Sequence, residues 1–200
     1  MLPRRSLLAT ALAGVALPTH AQNAAPWPSK PIKLVVPYAP GGTTDVVARV
    51  VAEYLGQRLG QNIVVDNKPG KGAMVGTALV AKAPPDGYTL LMSVISGLSI
   101  SPTLYGGGDF DPMADFIHVA IASTNPSVLV VNPGFGPRTF KEYVEYARAN
   151  PGKVSFATSG AGSSNHLLGV RLEQAIGAGL VHIPYRGAGP AMVDTIAGNV

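Results

Sequence analysis

The chain contains no cysteine. Disulfides and thiolate chemistry are therefore excluded, and stability must come from a packed core. Several enzyme signatures are also missing: there is no G-x-S-x-G elbow, no G-x-x-x-x-G-K-S/T phosphate loop and no H-E-x-x-H zinc helix. Only four histidines occur, and no paired carboxylates flank the loops, so acid–base chemistry has few candidates. Neither a metal nor a cofactor is expected. Gly160-Ala161-Gly162-Ser163-Ser164 lacks the third glycine of a dinucleotide fingerprint. No apolar run reaches the roughly 20 residues that a bilayer-spanning helix needs. Beyond the N-terminus no cluster of Lys and Arg is found, which argues against nucleic acid or an anionic membrane as a partner.

Residues 1–21 have the layout of an export signal. Arg4 and Arg5 form a basic start, Leu7 to Leu17 a short apolar run, and Thr19-His20-Ala21 a small-x-small cleavage site. The paired arginines followed by Ser6-Leu7-Leu8 also have a faint twin-arginine character. Cleavage would reduce 15 basic residues to 13 against 11 acidic, a net charge of +2 rather than +4. The expected location is the periplasm.

The organising stretch runs from Lys33 to Leu59. Leu34-Val35-Val36 is a short β-branched run typical of a strand buried on both faces. Pro37, Pro40, Gly41 and Gly42 break regular structure and make a turn. Thr43, Thr44 and Asp45 offer oxygens where a helix N-cap needs them, and Val47, Val51, Leu55 and Leu59 then repeat at helical spacing. Arg49 and Glu53 fall at i,i+4 on the opposite face. A glycine turn opening a helix can present unpaired N–H groups to an anion; it can equally be a plain connection.

The motif recurs along the chain. A second strand, Asn62–Asp66, is followed by a glycine turn at 67–72 and a helix over 74–83 with Val75, Leu79 and Val80 on its apolar side. Pro84-Pro85-Asp86-Gly87 turns the chain into a third strand, 88–92, which ends in a loop of small residues that includes Ser96. Strands are further expected at 116–122, 128–131, 154–158 and 180–184. A helix is expected over 139–150, opened by a capping box of Thr139 and Glu142. After 154–158 comes Ser159-Gly160-Ala161-Gly162-Ser163-Ser164-Asn165-His166 and a helix carrying Leu167, Leu168, Val170 and Leu172. After 180–184 comes Tyr185-Arg186-Gly187 and a final helix over 191–197. Strands alternating with helices indicate an α/β fold with a mostly parallel sheet, whose glycine and serine loops share the carboxyl edge.

Four blocks carry a family resemblance: PYAPGGTTD at 37–45, KAPPDGYTLL at 82–91, ANPGKVSFATSGAGSSNHL at 149–167 and VHIPYRGAGPA at 181–191. In order and spacing they resemble the exported solute-binding receptors of tripartite tricarboxylate transporters, also called Bug receptors. The resemblance implies a periplasmic-binding-protein-like fold of two lobes, each with a mostly parallel sheet flanked by helices. The first lobe would cover residues 22–125 and the second 126–200, the second incomplete, since family members continue well beyond Val200. It further implies that a small organic anion, a di- or tricarboxylate or a relative, is held between the lobes and passed to the membrane subunits of the transporter. The chain departs from the family pattern at Lys71-Gly72-Ala73-Met74, where smaller residues are usual, and at Gly106–Gly108.

The candidate ligand contacts are Gly41, Gly42, Thr43, Thr44 and Asp45 in the first loop; Ser96; Ser159, Gly160, Ala161, Gly162, Ser163, Ser164 and His166; and Tyr185 and Arg186. Each has a plainer reading. Thr43, Thr44 and Asp45 can be helix caps, with Asp45 orienting the loop or reaching a ligand's amino or hydroxyl group through water. The serines can be flexible connection, His166 a packed hydrogen-bonded histidine, and Arg186 a surface arginine. His182 alternates with Val181 and Ile183 and is expected to be structural. The rival to a receptor is a small α/β enzyme acting on an anionic metabolite at the same loops; the absent catalytic motifs favour a binding protein that is not an enzyme.

Overall fold

The computed structural model describes residues 26–200, so the export-signal reading of residues 1–21 lies outside the described residues. Among the described residues, five strands and six α-helices follow one another: β1 Ile32–Val36, α1 Thr43–Leu59, β2 Ile63–Asn67, α2 Met74–Ala81, β3 Thr89–Leu91, α3 Ser101–Leu104, α4 Phe140–Ala149, β4 Val154–Thr158, α5 Ser164–Ile176, β5 Leu180–Pro184 and α6 Ala188–Ala197. They form two parallel sheets. The first has the order β2-β1-β3 and the second pairs β4 with β5. This is the α/β arrangement that alternating strand and helix patterns require.

β1 is the central strand of the first sheet, and its composition explains why. Ile32, Leu34 and Val36 point into a core with Ala48, Ala52 and Ile63, while Val35 on the opposite face is also fully buried. A strand covered on both faces has no use for polar alternation. Helix α1 packs on this sheet through Ala48 and Ala52, joined by the half-buried Leu55 and Leu59. The small alanines let the helix axis approach the sheet, so the buried stripe is offset from the Val47–Val51 line expected from spacing, and Val46, Val50 and Tyr54 face solvent. The second core gathers Tyr143, Ala147, Val154, Ile176 and Ala178.

Several local expectations are corrected. Gly42, not Thr43, Thr44 or Asp45, is the N-cap of α1, and no side chain caps it. Arg49 pairs with Asp45 rather than Glu53. α2 ends at Ala81, and Val75 and Leu79 face outward. Its buried side is Met74, Gly76 and Thr77, because a Cβ at Gly76 would come within 2.9 Å of Pro37. In α5, Leu167 and Leu168 are likewise exposed, and Ile176 is the buried residue. The loop after β3 winds into a π-helical turn over Ser96–Ile100 that runs straight into α3. α6 starts at Ala188, earlier than its apolar pattern indicates.

The largest correction concerns residues 116–122 and 128–131, which form no strand. The period-2 pattern of Ile117, Val119 and Ile121 is right for a strand, yet these residues are 84–88% exposed. A strand exists only when its N–H and C=O groups find a ladder partner, and none lies beside this segment among the described residues. The capping box at Thr139, by contrast, is present as expected: Glu142 N–H donates to Thr139 Oγ1 at 3.2 Å, and the Glu142 carboxylate accepts from Thr139 N–H at 3.3 Å.

Candidate anion-binding cleft

Parallel strands deliver their following loops to one edge, and here the loops of the two sheets meet edge to edge. Ala39 N–H donates to the carbonyl of Arg186 at 2.9 Å. Ser164 N–H donates to Ser96 Oγ at 3.0 Å. Ser101 Oγ–H is shared between the carbonyls of Gly72, at 2.8 Å, and Gly162, at 3.3 Å. Tyr105 Oη donates to the carbonyl of Ala161 at 3.3 Å. Between these contacts lies a cleft of about 200 Å³, lined by Tyr38, Lys71, Tyr105, Ser159, Tyr185 and Arg186 and by the backbone of Gly70, Gly72, Ala73, Gly160 and Ala161.

The first-lobe wall is built by a chain of positioning contacts. The Asp45 carboxylate, 3% exposed, accepts Gly41 N–H, Asn67 Nδ2 and two bonds from Arg49, each at 3.0 Å. Asn67 also donates to the Tyr38 carbonyl at 2.9 Å. Asp45 therefore shapes the loop that carries Tyr38 and does not itself line the cleft. Burial alone would raise its pKa; the bonds from Arg49, Gly41 and Asn67, with the Arg49 charge, outweigh this and hold it below the ordinary value. Its contribution to stability is thus present above the unfolded carboxylate pKa of about 3.9 and is lost as pH falls through the lower folded value. Asp45→Asn should destabilise the protein at neutral pH by about 1–3 kcal/mol, because Gly41 N–H and Asn67 lose their charged acceptor. Thermal melts between pH 3 and 7 should show the variant less stable at pH 7 and the two proteins converging in acid.

Tyr38 lines the cleft and is buried; burial pushes its hydroxyl pKa up, against the opposing pull of the Ser96 and Ser159 hydroxyls near it, one from each lobe. Residues 70–73 form the floor in an uncommon conformation, with positive φ throughout: Gly70 142°, Lys71 47°, Gly72 59° and Ala73 80°. Lys71 and Ala73 each pay about 1–2 kcal/mol for this left-handed backbone. Gly72 is required there, since a Cβ would lie 2.6 Å from the Ala161 carbonyl and closer still to the Ser101 hydroxyl.

The second-lobe wall, Ser159–Ala161, is supported from behind by an aromatic column. Phe156 stacks on His182 with ring centroids 5.1 Å apart, and His182 stacks on His166 at 4.0 Å. His182 Nε2 shares a 2.7 Å hydrogen bond with Thr158 Oγ1, which in turn accepts Gly160 N–H. His166 Nδ1 accepts Gly162 N–H at 3.2 Å, which requires that nitrogen to be unprotonated. Ser163 caps α5, its hydroxyl accepting His166 N–H. Burial first, and then the nearness of His166, push the His182 pKa down. The neutral form is the one that fits the fold, so stability is full above the unfolded histidine value of about 6.5 and falls as pH drops through it toward the lower folded value. Acidification from pH 7.5 to 5 should lower the melting temperature by several degrees, and His182→Gln should remove much of that slope.

The structure thus separates the residues singled out in the sequence. Ser159, Gly160, Ala161, Tyr185 and Arg186 come together on the cleft. Ser96 does not line it; buried, it accepts Ser164 N–H. Gly162, Ser163, Ser164 and His166 form the supporting shell. Gly41 and Gly42 pack against the start of α6, where the nearest atoms belong to Ala188 and Gly189, and Thr43, Thr44 and Asp45 follow them into α1 away from the cleft. Tyr38, Lys71 and Tyr105 also line the cleft and were not among the candidate contacts, although the sequence marks Lys71 as a departure from the family pattern. Tyr38 stands directly before the Ala39-Pro40-Gly41-Gly42 turn, a signal that could have found it. Tyr185 offers its ring rather than its hydroxyl, because that hydroxyl donates to Asp194 at 2.6 Å, a bond that raises its pKa ahead of burial and the Asp194 charge.

The charge pattern is one-sided. Lys71 and Arg186 line the cleft, no acidic side chain does, and neither cation has an ion-pair partner among the described residues. No group of three or more metal-ligating side chains occurs among the described residues.

The description "Tripartite tricarboxylate transporter family receptor" belongs to the family whose profile matches residues 47–200. The chain belongs to this receptor family. BugT of Bordetella pertussis is 40% identical over 195 residues, a match covering 95% of this chain and 58% of BugT. Among solved structures, the periplasmic binding protein BugD is 39% identical with a TM-score of 0.74. An R. palustris protein solved with adipate is 32% identical with a TM-score of 0.84. Each match covers 87% of this chain and 58% of the solved one. The chain therefore spans a little over half the length of the receptor-family members it matches, and the periplasmic-binding-protein fold read from its sequence is the fold of its relatives.

Proposed function

We propose that this chain belongs to an exported receptor that captures a small organic carboxylate between two lobes and delivers it to the membrane subunits of a tripartite tricarboxylate transporter. The observation that carries the reading is the cleft lining: two unpaired cations, one from each lobe, facing hydroxyls and backbone with no carboxylate to compete. The cleft is small beside the roughly 300–1,000 Å³ of drug-sized sites, which suits a short-chain metabolite. The adipate-bound relative supports the ligand class. BugD, described as periplasmic, supports a periplasmic location, to which the export signal read at residues 1–21 adds. The lobes divide near residue 125, the first holding the β2-β1-β3 sheet and the second the β4–β5 pair.

A receptor also fits better than an enzyme. Among the described residues no histidine or acidic side chain lines the cleft, so a proton transfer there would have little beyond tyrosines and a lysine to draw on. Calorimetric titration of the full-length protein with a panel of mono-, di- and tricarboxylates, run beside a turnover assay, tests the proposal. Saturable binding of at least one carboxylate without chemical change supports it; product formation, or no binding to any member of the panel, would overturn it.

A further inference from the structure

The cleft holds two cations of different standing. Arg186 leaves β5 at the loop where the second lobe meets Ala39 and lines the cleft. Lys71 comes from the other lobe and sits on the strained floor segment. Building on the receptor reading above, we infer that Lys71 is the specificity-determining residue of the cleft: it selects ligands carrying a second anionic group over otherwise similar ligands with one.

Three observations converge. The backbone around Lys71 is clamped, with Ser101 Oγ–H bonded to the Gly72 carbonyl and Gly72 pressed against the Ala161 carbonyl of the opposite lobe. The root of the lysine is therefore fixed and only its flexible stem and ammonium remain to adjust. The ammonium is also available. It lies 5.8 Å from the centroid of the Tyr105 ring, near the limit of a cation–π contact, and it has no carboxylate within ion-pair reach among the described residues. Asp109, which feels the Lys71 charge, has its carboxylate engaged by Lys82 at 3.0 Å. Finally, Tyr105, which lines the cleft with Lys71, is itself tied to the second lobe through its hydroxyl, so the ring beside the ammonium is a held wall of the same cleft. Two like charges facing one small space from opposite lobes repel each other when it is empty. A ligand with a single charge relieves one of them; a ligand with two relieves both.

The test compares matched pairs differing only in the second carboxylate, succinate against butyrate and adipate against hexanoate, by calorimetry on the full-length protein. Lys71→Gln keeps the stem and removes the charge, and Lys71→Arg keeps the charge. The expected result is that Lys71→Gln weakens dicarboxylate binding at least tenfold, about 1.4 kcal/mol, and changes monocarboxylate binding by less than about twofold, with Lys71→Arg close to wild type for both. Equal losses for mono- and dicarboxylates would make Lys71 a structural part of the loop and overturn the inference, as would an unchanged dicarboxylate affinity in Lys71→Gln. If wild type binds carboxylates without preferring the second charge, the inference falls and the receptor reading stands. If wild type binds neither member of any pair and no tricarboxylate, both fall.

Discussion

Gly72→Val is expected to abolish ligand capture while both lobes stay folded. Valine is β-branched and resists the left-handed backbone that Gly72 adopts at φ 59°. Its Cβ would also lie 2.6 Å from the Ala161 carbonyl and would displace the Ser101 hydroxyl. Ser101 bridges Gly72 to Gly162, and the Ala161 carbonyl also accepts from Tyr105, so the side chain would wedge apart two of the contacts that bring the lobes together. Neither hydrophobic core includes Gly72, which is why the fold should survive. Affinity should drop at least a hundredfold, about 2.8 kcal/mol, in calorimetry, with a cooperative thermal melt retained. Normal binding by a well-folded Gly72→Val would show that lobe contact at this floor is irrelevant to capture.

Arg186→Ala should weaken binding of every carboxylate, whatever its second group. A charged hydrogen bond is worth about 1.5–3 kcal/mol, so a ten- to hundredfold loss is expected. The fold should be untouched, because the backbone carbonyl of Arg186, which accepts Ala39 N–H, survives the substitution. The wild-type affinity should decline as salt rises, and the variant's less steeply, since a partly exposed charge is screened. A variant that binds as well as wild type would leave Arg186 a surface arginine.

What could be read from the sequence was what is local. β1, β4 and β5 follow from short β-branched runs bounded by glycine and proline, and Thr139 with Glu142 marks a helix start that needs no knowledge of the rest. Segments 116–122 and 128–131 have strand composition as well, but a strand is a relation between two chains of peptide groups, and composition says nothing about whether the second is at hand. The outward turn of Val75 and Leu79 was hidden for a similar reason: Gly76 backs onto Pro37, a contact between distant parts of the sequence. The cleft follows the same rule. Glycine and serine loops announced the edge where the loops gather, yet only the assembled lobes reveal that Gly41 and Gly42 pack against the start of α6, or that Tyr38, Lys71 and Tyr105 share one cleft with Ser159 and Arg186.

The hydrogen bonds that join the two sets of loops, Ala39 to Arg186, Ser164 to Ser96, Ser101 to Gly162 and Tyr105 to Ala161, also bear on time. Each contributes about 0.5–1.5 kcal/mol net, so parting all four costs only a few kcal/mol, and water can replace every lost partner. Hinge motions of domains run on the microsecond-to-millisecond scale, and a seam this weak is expected to open within that range. For the proposed receptor, a captive molecule's dwell time would then be set by how many openings it survives, and that number by how firmly Arg186 and Lys71 would hold it once the seam is apart.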